Sequence, residues 1–499
     1  MTGGSVEATL ELWASSLRTV KERIRPVFRQ DRTAAAAGLF LDALLGPERR
    51  KTGWMRAEAA GDPGPWRQQA LLDRTRWDAD ALRDLVREYA LETLADPDAV
   101  LVLDETGFLK QGKASCGVAR QYTGSAGKIT NCQIGVFAAY VSDKGHAFID
   151  RALYLPQDWT KNPARLRATH VPDEVGFTTK PRLALDMVER AIAAGVPFGW
   201  VAADTVYGTG EVERALRRSG KGYVLGVSAT QPFNAWIGKP AVAGTAEAIA
   251  RGLEPSAWVR LSAGEGTKGA RLYDWAYLEL ADLVADEFNP TRMGTWTRGL
   301  LIRRSLKGDL AFFSTWCPAG TLIETLVSVE GRRWAIEDAF ETAKTELGLA
   351  HNETRSWHGW HRHVSRVMLA FAMMAAVRHH ANQLPPPKKQ RAEPVRSRSD
   401  PLVGAGDPAR GDALGPTAHP AGPRDGMVTL APRSSGRRTR RSPQTKITTV
   451  VLGVWMRDVL GPSNDLEGFG QSARIERRIV TGVGTGGRRA QAFLHNHLR

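Results

Sequence analysis

Two apolar runs in this 499-residue chain end in acid. VLVLDE begins at Val100 and delivers Asp104, then Glu105; FGWVAAD begins at Phe198 and delivers Asp204. β-branched and aliphatic runs of this length read as buried strands, and α/β folds commonly place chemistry where side chains emerge beside loops at strand C-termini. Either aspartate alone would be read as capping a turn, that before Gly107 for the first. Two strands with the same ending make capping less sufficient. A third charged set lies in RRWAIEDAFETAKTELGL, where Arg333, Glu337 and Lys344 stand at i, i+4 and i+11. At about 100° per residue they fall at roughly 0°, 40° and 20°, on one narrow helix face. That face borders the apolar stripe of Ile336, Phe340 and Leu347, so it points to a site built for charged groups, with a solvated ion-paired surface as the alternative.

The elements that must position these residues are legible in the texture of the chain. LELWASSL, RTAAAAGLFLDALLG and DADALRDLVREYALETL repeat apolar residues at helical spacing, which predicts a helical N-terminal region over 1–97. From Ala99 the pattern turns to short β-like runs (VLVLDE, CQIGVFAAYVS, HAFIDRALYLP), then a helix at PRLALDMVERAIAAG and the strands FGWVAAD and YVLGV. This is a mixed α/β core over 98–230. WVRLSAG, RLYDWAYLEL and GLLIRRS predict a β-rich insertion over 231–309, and LAFFSTW with two helical patterns completes the core over 310–384.

Composition bounds the function. Lys and Arg number 68 against 53 Asp and Glu, a net charge of +15, which favours a polyanionic partner and puts nucleic acid first. Residues 385–446 hold thirteen Lys/Arg against five Asp/Glu among many Pro, Gly and Ser, a surplus of eight. That composition predicts a disordered basic linker, followed by an atypical tail over 447–499. Cys116, Cys132 and Cys317 are too few and too far apart for a zinc module or a disulfide framework. The longest apolar run, Val367 to Val377, is shorter than the ~20 residues of a membrane span, so a cytoplasmic protein is expected. His358, His361, His363, His379 and His380 lack a metal-binding frame and are read as decorating a helix, with His363 a candidate DNA contact.

VLDETGFLKQGKASCGVARQYTGSAGKITNCQIGVFAAYVS, the WVAADTVYG strand and the R-W-x-I-E-x-x-F-x-x-x-K helix together resemble the DDE transposases of bacterial insertion sequences, above all insertion sequence family 701. The resemblance runs from about residue 25 to about residue 380, and the order and spacing of its motifs are more specific than any one of them. It implies a ribonuclease H-like catalytic core with a β-rich insertion, preceded by a helical N-terminal DNA-binding region. Asp104, Asp204 and Glu337 would be the acidic triad, holding two Mg²⁺ ions, with Mn²⁺ as a substitute. The implied reaction is cleavage at the element's terminal inverted repeats and strand transfer to target DNA, by a homodimer on DNA in a nucleoid-associated, cytoplasmic setting. Arg333 and Lys344, matching the family's R-E-K signature, would clamp phosphates.

The chain departs from that pattern at named positions. Glu330 stands where related transposases usually carry Tyr, Thr205 follows the second aspartate where an acid is frequent, and Asn352 and His361 replace tyrosines. The long Pro/Gly-rich end differs from the short Arg-rich segment expected, as a frameshifted copy would. Two alternatives therefore stay open: a decaying copy that only binds DNA, and a nuclease without strand transfer. For DNA binding, Arg49, Arg50, Lys51 and Arg56 in ERRKTGWMRAEAAG form a candidate recognition element or a plain basic surface. Lys110, Lys113, Arg120 and Lys128, after the first acidic strand, would position phosphates rather than read bases.

Overall fold

The computed structural model describes residues 6–235, 242–266, 269–280 and 296–384. The expected basic linker and tail, and part of the expected insertion, lie outside the described residues. Five helices come first: α1 (Val6–Ile24), α2 (Asp31–Leu45), α3 (Gly53–Ala59), α4 (Trp66–Asp73) and α5 (Ala79–Leu94). Side chains of short polar residues start two of them, Thr52 for α3 and Asp78 for α5. The Asp78 carboxylate accepts from the Asp80 backbone N–H at the start of α5, meeting one of the donors that a helix end leaves free.

The sheet begins with β1 (Val100–Leu109), β2 (Ala119–Thr123), β3 (Lys128–Ser142) and β4 (Gly145–Tyr154), all antiparallel neighbours through β3. The short helices α6 (Gln157–Thr160) and α7 (Pro163–Ala168) lead to α8 (Lys180–Ala193), then β5 (Trp200–Ala203), α9 (Gly210–Arg218) and β6 (Gly222–Val227). β5 pairs parallel to both β1 and β6. Parallel pairing needs a crossover, and α8 and α9 supply it. The order through this half is β4-β3-β1-β5-β6.

β7 (Pro232–Ala235) and β8 (Val242–Thr245) form a separate two-stranded sheet, followed by α10 (Ala246–Arg251). β9 (Val259–Gly266), β10 (Gly269–Leu280), β11 (Trp296–Arg304) and β12 (Leu310–Pro318) then make an antiparallel meander, and β12 pairs with β6. The β-rich segment is thus a continuation of the main sheet, giving ten strands in all. Alternation along its strands divides its two faces. Trp275, Leu301 and Phe313 join the main core, while Ala276, Leu300, Ile302 and Phe312 face a small second cluster with Phe233 and Ala246.

Three helices close the described chain: α11 (Ile323–Arg332), α12 (Trp334–Thr345) and α13 (Trp357–Gln383). α13 is buried nearly all round from Gly359 to Val377, polar His361, Arg362, His363 and Arg366 included, so it is covered on every side. It lies between the sheet, through β4, and α1, α2, α4 and α5. The N-terminal helices therefore share one apolar core with the α/β part, running from Trp13 to Ala381. The histidines expected on an exposed helix face are partly inside this packing: His361 and His363 are buried, and His363 Nε2 meets the Gly348 carbonyl at 3.1 Å. His363 therefore has no DNA-facing surface. Among the described residues, no helix is long and apolar enough to cross a membrane.

Phe137 on β3 ties the layers together. It is fully buried, with ring centroids 5.3 Å from Phe148 and Phe340 and 6.4 Å from Trp360. Phe137→Ala should lower the unfolding free energy by about 3–5 kcal/mol. Urea denaturation monitored by tryptophan fluorescence checks this, and a loss below about 1 kcal/mol would show that the layers do not depend on that ring.

Candidate active site

β1 and β5 run parallel and in register, Leu103 opposite Ala203. Asp104 and Asp204 are the next residues, so the pairing itself sets the two side by side where β5 ends; β1 runs on past Asp104 to Leu109 along β3, so the first aspartate lies within its strand and not at the C-terminal end expected of it. Burial, and then the charge of Asp204, push the Asp104 carboxyl up to about 8. Burial and Glu105 likewise raise Asp204. Backbone amides offset part of this cost: Glu105 N–H donates to Asp104 at 2.7 Å and Val206 N–H to Asp204 at 2.9 Å.

Arg333, at the junction of α11 and α12, is the positive charge that both aspartates feel. Burial works against its guanidinium, yet Glu337, Glu330 and Asp104 hold it above its ordinary range. Its Nη1 donates to Glu337 Oε1 at 2.9 Å, the i to i+4 contact expected from the helix face. The structure thus gathers Asp104, Asp204, Glu337 and Arg333 in one electrostatic neighbourhood. A cleft of about 360 Å³ opens beside it, at the ends of β5 and β6, with Asp204, Gly226, Ser228, Arg303, Glu330 and Arg333 on its walls.

Hard oxygen donors suit a divalent cation, and two neighbouring half-buried carboxylates, one raised by the charge of the other, fit one. Asp104 and Asp204 meet that test. Glu337 meets it less directly, because its carboxylate is engaged by Arg333, and among the described residues no group of three acids, histidines or cysteines is disposed to hold an ion.

Two acids assigned no role in the site from the sequence, Glu105 and Glu330, complete the surroundings. Glu105, which alternation turns to the other face of β1, is held by Lys180 Nζ and Tyr207 Oη, both at 2.5 Å. Glu330 is buried, receives Arg303 Nη1 at 2.8 Å and lies 4.0 Å from Arg333. No spacing rule could have found Lys180, Tyr207 or Arg303, since each comes from a different element, whereas Arg333 stands at i+3 from Glu330.

The basic candidates divide. Arg49, Arg50, Lys113, Arg120 and Lys128 are exposed. Lys51 and Arg56 are not: both are buried, Lys51 Nζ donates to the Gly46 carbonyl, and Arg56 donates to the Lys51 carbonyl with its guanidinium 4.3 Å over the Phe40 ring. They brace the turn between α2 and α3 and cannot meet DNA without unfolding it. Lys110 Nζ is given to the Asn352 carbonyl at 2.6 Å. Lys344 Nζ donates to Thr106 Oγ1 at 2.6 Å, Ser125 Oγ at 2.7 Å and the Gly107 carbonyl at 3.2 Å, and burial lowers it to about 8. An ammonium has three hydrogens, so the expected phosphate clamp at Lys344 is already spent on protein.

Residues 23–257, just under half of the chain, match the family model described as DDE superfamily endonuclease. Over this segment the chain is similar to the DDE superfamily endonucleases. Asp104 and Asp204 fall inside the matched DDE segment; Arg333, Glu337 and Lys344 lie beyond it. The chain is 33% identical over 144 residues to the Microchaete diplosiphon protein named "Probable transposase for insertion sequence element IS701", a match that spans 28% of this chain and 35% of that relative. The NurA nuclease from Sulfolobus solfataricus aligns over 51% of this chain and 80% of its own at 8% identity, with a TM-score of 0.22, too low to bear on the fold.

Buried His361 gives a pH test. Burial, with Arg151 nearby, lowers His361 from its ordinary range, while its Nδ1 lies 2.9 Å from the Trp357 carbonyl. A histidine lowered in the folded state takes up its proton first in the unfolded chain, so stability is lost as pH falls below about 6.5, by about 1.4 kcal/mol per unit at most. His361→Phe should flatten that fall. Urea midpoints at pH 7 and pH 4 that drop equally for both proteins would show that His361 titrates alike folded and unfolded.

Proposed function

We propose that this chain is a transposase: it cuts DNA at the ends of its own insertion sequence and joins them to target DNA through Asp104, Asp204 and Glu337. The observation that carries the reading is the register of β1 and β5, which sets two acids together beside an arginine. The sheet order β4-β3-β1-β5-β6, with the third acid on a helix after the inserted strands, supports a ribonuclease H-like core. The match to DDE superfamily endonucleases and the named IS701 relative support the substrate class.

Each residue has a derivable task. Asp104 and Asp204 would hold divalent ions, Mg²⁺ or Mn²⁺, with Glu337 as the third ligand once its bond to Arg333 is exchanged. Such ions, when bound, would stabilise charge on the phosphoryl group and on the leaving oxygen. Arg333 neutralises the acids and, released from Glu337, has the fork geometry to take a phosphate oxygen pair. Arg120, Lys113 and Lys128 are exposed and would fix the duplex by its backbone, and Arg49 and Arg50 would serve the N-terminal region in the same way. A homodimer on DNA, in a cytoplasmic, nucleoid-associated setting, is part of the same proposal.

The test uses DNA bearing the terminal repeats found beside the gene. Asp104→Asn should reduce Mg²⁺-dependent cleavage to the background rate while end binding is kept or slightly strengthened, because a negative charge near phosphate is removed. Wild-type protein that binds ends without cutting would favour the binding-only reading. Cutting without joined products would favour a nuclease.

A further inference from the structure

The hairpin of β2 and β3 carries more than positive charge. Tyr122 and Ile129 face each other in its register, and 63% of the tyrosine and 60% of the isoleucine surface is exposed. A cross-strand aromatic and β-branched pair steadies a hairpin by mutual contact, but side chains this exposed cover little of each other. Arg120, two residues before Tyr122, lies on the same face of the hairpin, while Lys128 next to Ile129 lies on the other and Lys113 precedes the hairpin, all three exposed. Aromatic and apolar surface among basic groups is the composition that binds unstacked bases: charge meets the backbone, and the ring meets the base.

The hairpin tip is fastened close to the catalytic strand. Ser125 Oγ lies 3.5 Å from Thr106 Oγ1 and donates to the Gly107 carbonyl at 3.4 Å, and Lys344 Nζ on α12 bridges all three groups. Thr106 is two residues beyond Asp104. A side chain at Gly107 would collide with Thr123, so the glycine is what permits the close approach.

We propose that Tyr122 and Ile129 pack against unstacked DNA bases next to the phosphodiester held at Asp104 and Asp204, and that Lys344 is the positioning residue that keeps the hairpin there. The inference rests on the DNA-cutting function proposed above. It assigns Lys344 to the protein rather than to a phosphate, and gives this end of the sheet an apolar contact with DNA beside its ionic ones.

The experiment compares full-length protein on a short duplex and on the same duplex opened by a small unpaired bubble containing 2-aminopurine. Wild type should bind the bubble more tightly than the paired duplex, by roughly tenfold, and quench the 2-aminopurine. Tyr122→Thr and Ile129→Thr keep strand-forming side chains, so the hairpin stays folded; each should lose the preference and the quenching while paired-duplex affinity holds. Arg120→Ala with Lys128→Ala should instead weaken both duplexes and reduce the salt dependence. Lys344→Met should lose quenching, and Lys344→Arg should restore part of it. Retained bubble preference and quenching in the threonine variants overturn the inference and leave the proposed function standing. Wild-type protein that binds neither duplex overturns both.

Discussion

Like charges resist being brought together out of water, and this molecule brings them together by backbone hydrogen bonds. The in-register pairing of β1 with β5 leaves Asp104 and Asp204 no other place to go. Everything around them answers that constraint. Amide donors turn toward the carboxylates, Arg333 arrives from the start of α12, and Glu337 and Glu330 in turn hold Arg333. The end of β5, beside Asp104 within β1, is a place of electrostatic cost, tolerable because the apolar residues leading into both acids are buried and hold the register.

The same logic explains the helices. α12 can bring Arg333 and Glu337 to the sheet because Phe340 sits on Phe137 and Phe148, and that aromatic group is in turn covered by α13. α13 is covered by the N-terminal helices. The part of the chain expected as a separate helical region is thus also the outer wall of the α/β core. Buried Arg362 and Arg366 mark that boundary, with Arg362 giving its guanidinium to the Leu72 and Trp77 carbonyls and Arg366 lying over the Phe28, Phe40 and Trp77 rings.

What the sequence disclosed depended on range. Alternation and helical spacing are local, so the apolar runs leading into Asp104 and Asp204 and the shared face of Arg333 and Glu337 were readable; that β1 continues past Asp104 to Leu109 was not. The destinations of long side chains were not. Lys51, Arg56, Lys110 and Lys344 look alike in a sequence, each a base near a turn or on a charged face. Only the fold decides that a carbonyl or hydroxyl from another element stands within reach of each, as Asn352 does for Lys110, 242 residues away. The insertion was visible as β-texture, but its continuity with the main sheet depends on the β6–β12 pairing, which no local pattern encodes.

That continuity limits how the fold can change over time. A cassette inserted between β6 and α11 as an independent module could be trimmed away with little effect. Here β12 covers the edge of β6, and removing the meander would uncover a row of unpaired backbone groups beside the two aspartates, an invitation to pair with another chain. The sheet ends instead at β9, where a register shift opposite Ala270 and Leu272 and two glycines, Gly264 and Gly266, blunt the border. Shortening of this protein by deletion is therefore expected to spare the strands between β6 and β9 as a set, and to fall first on the loops that join them.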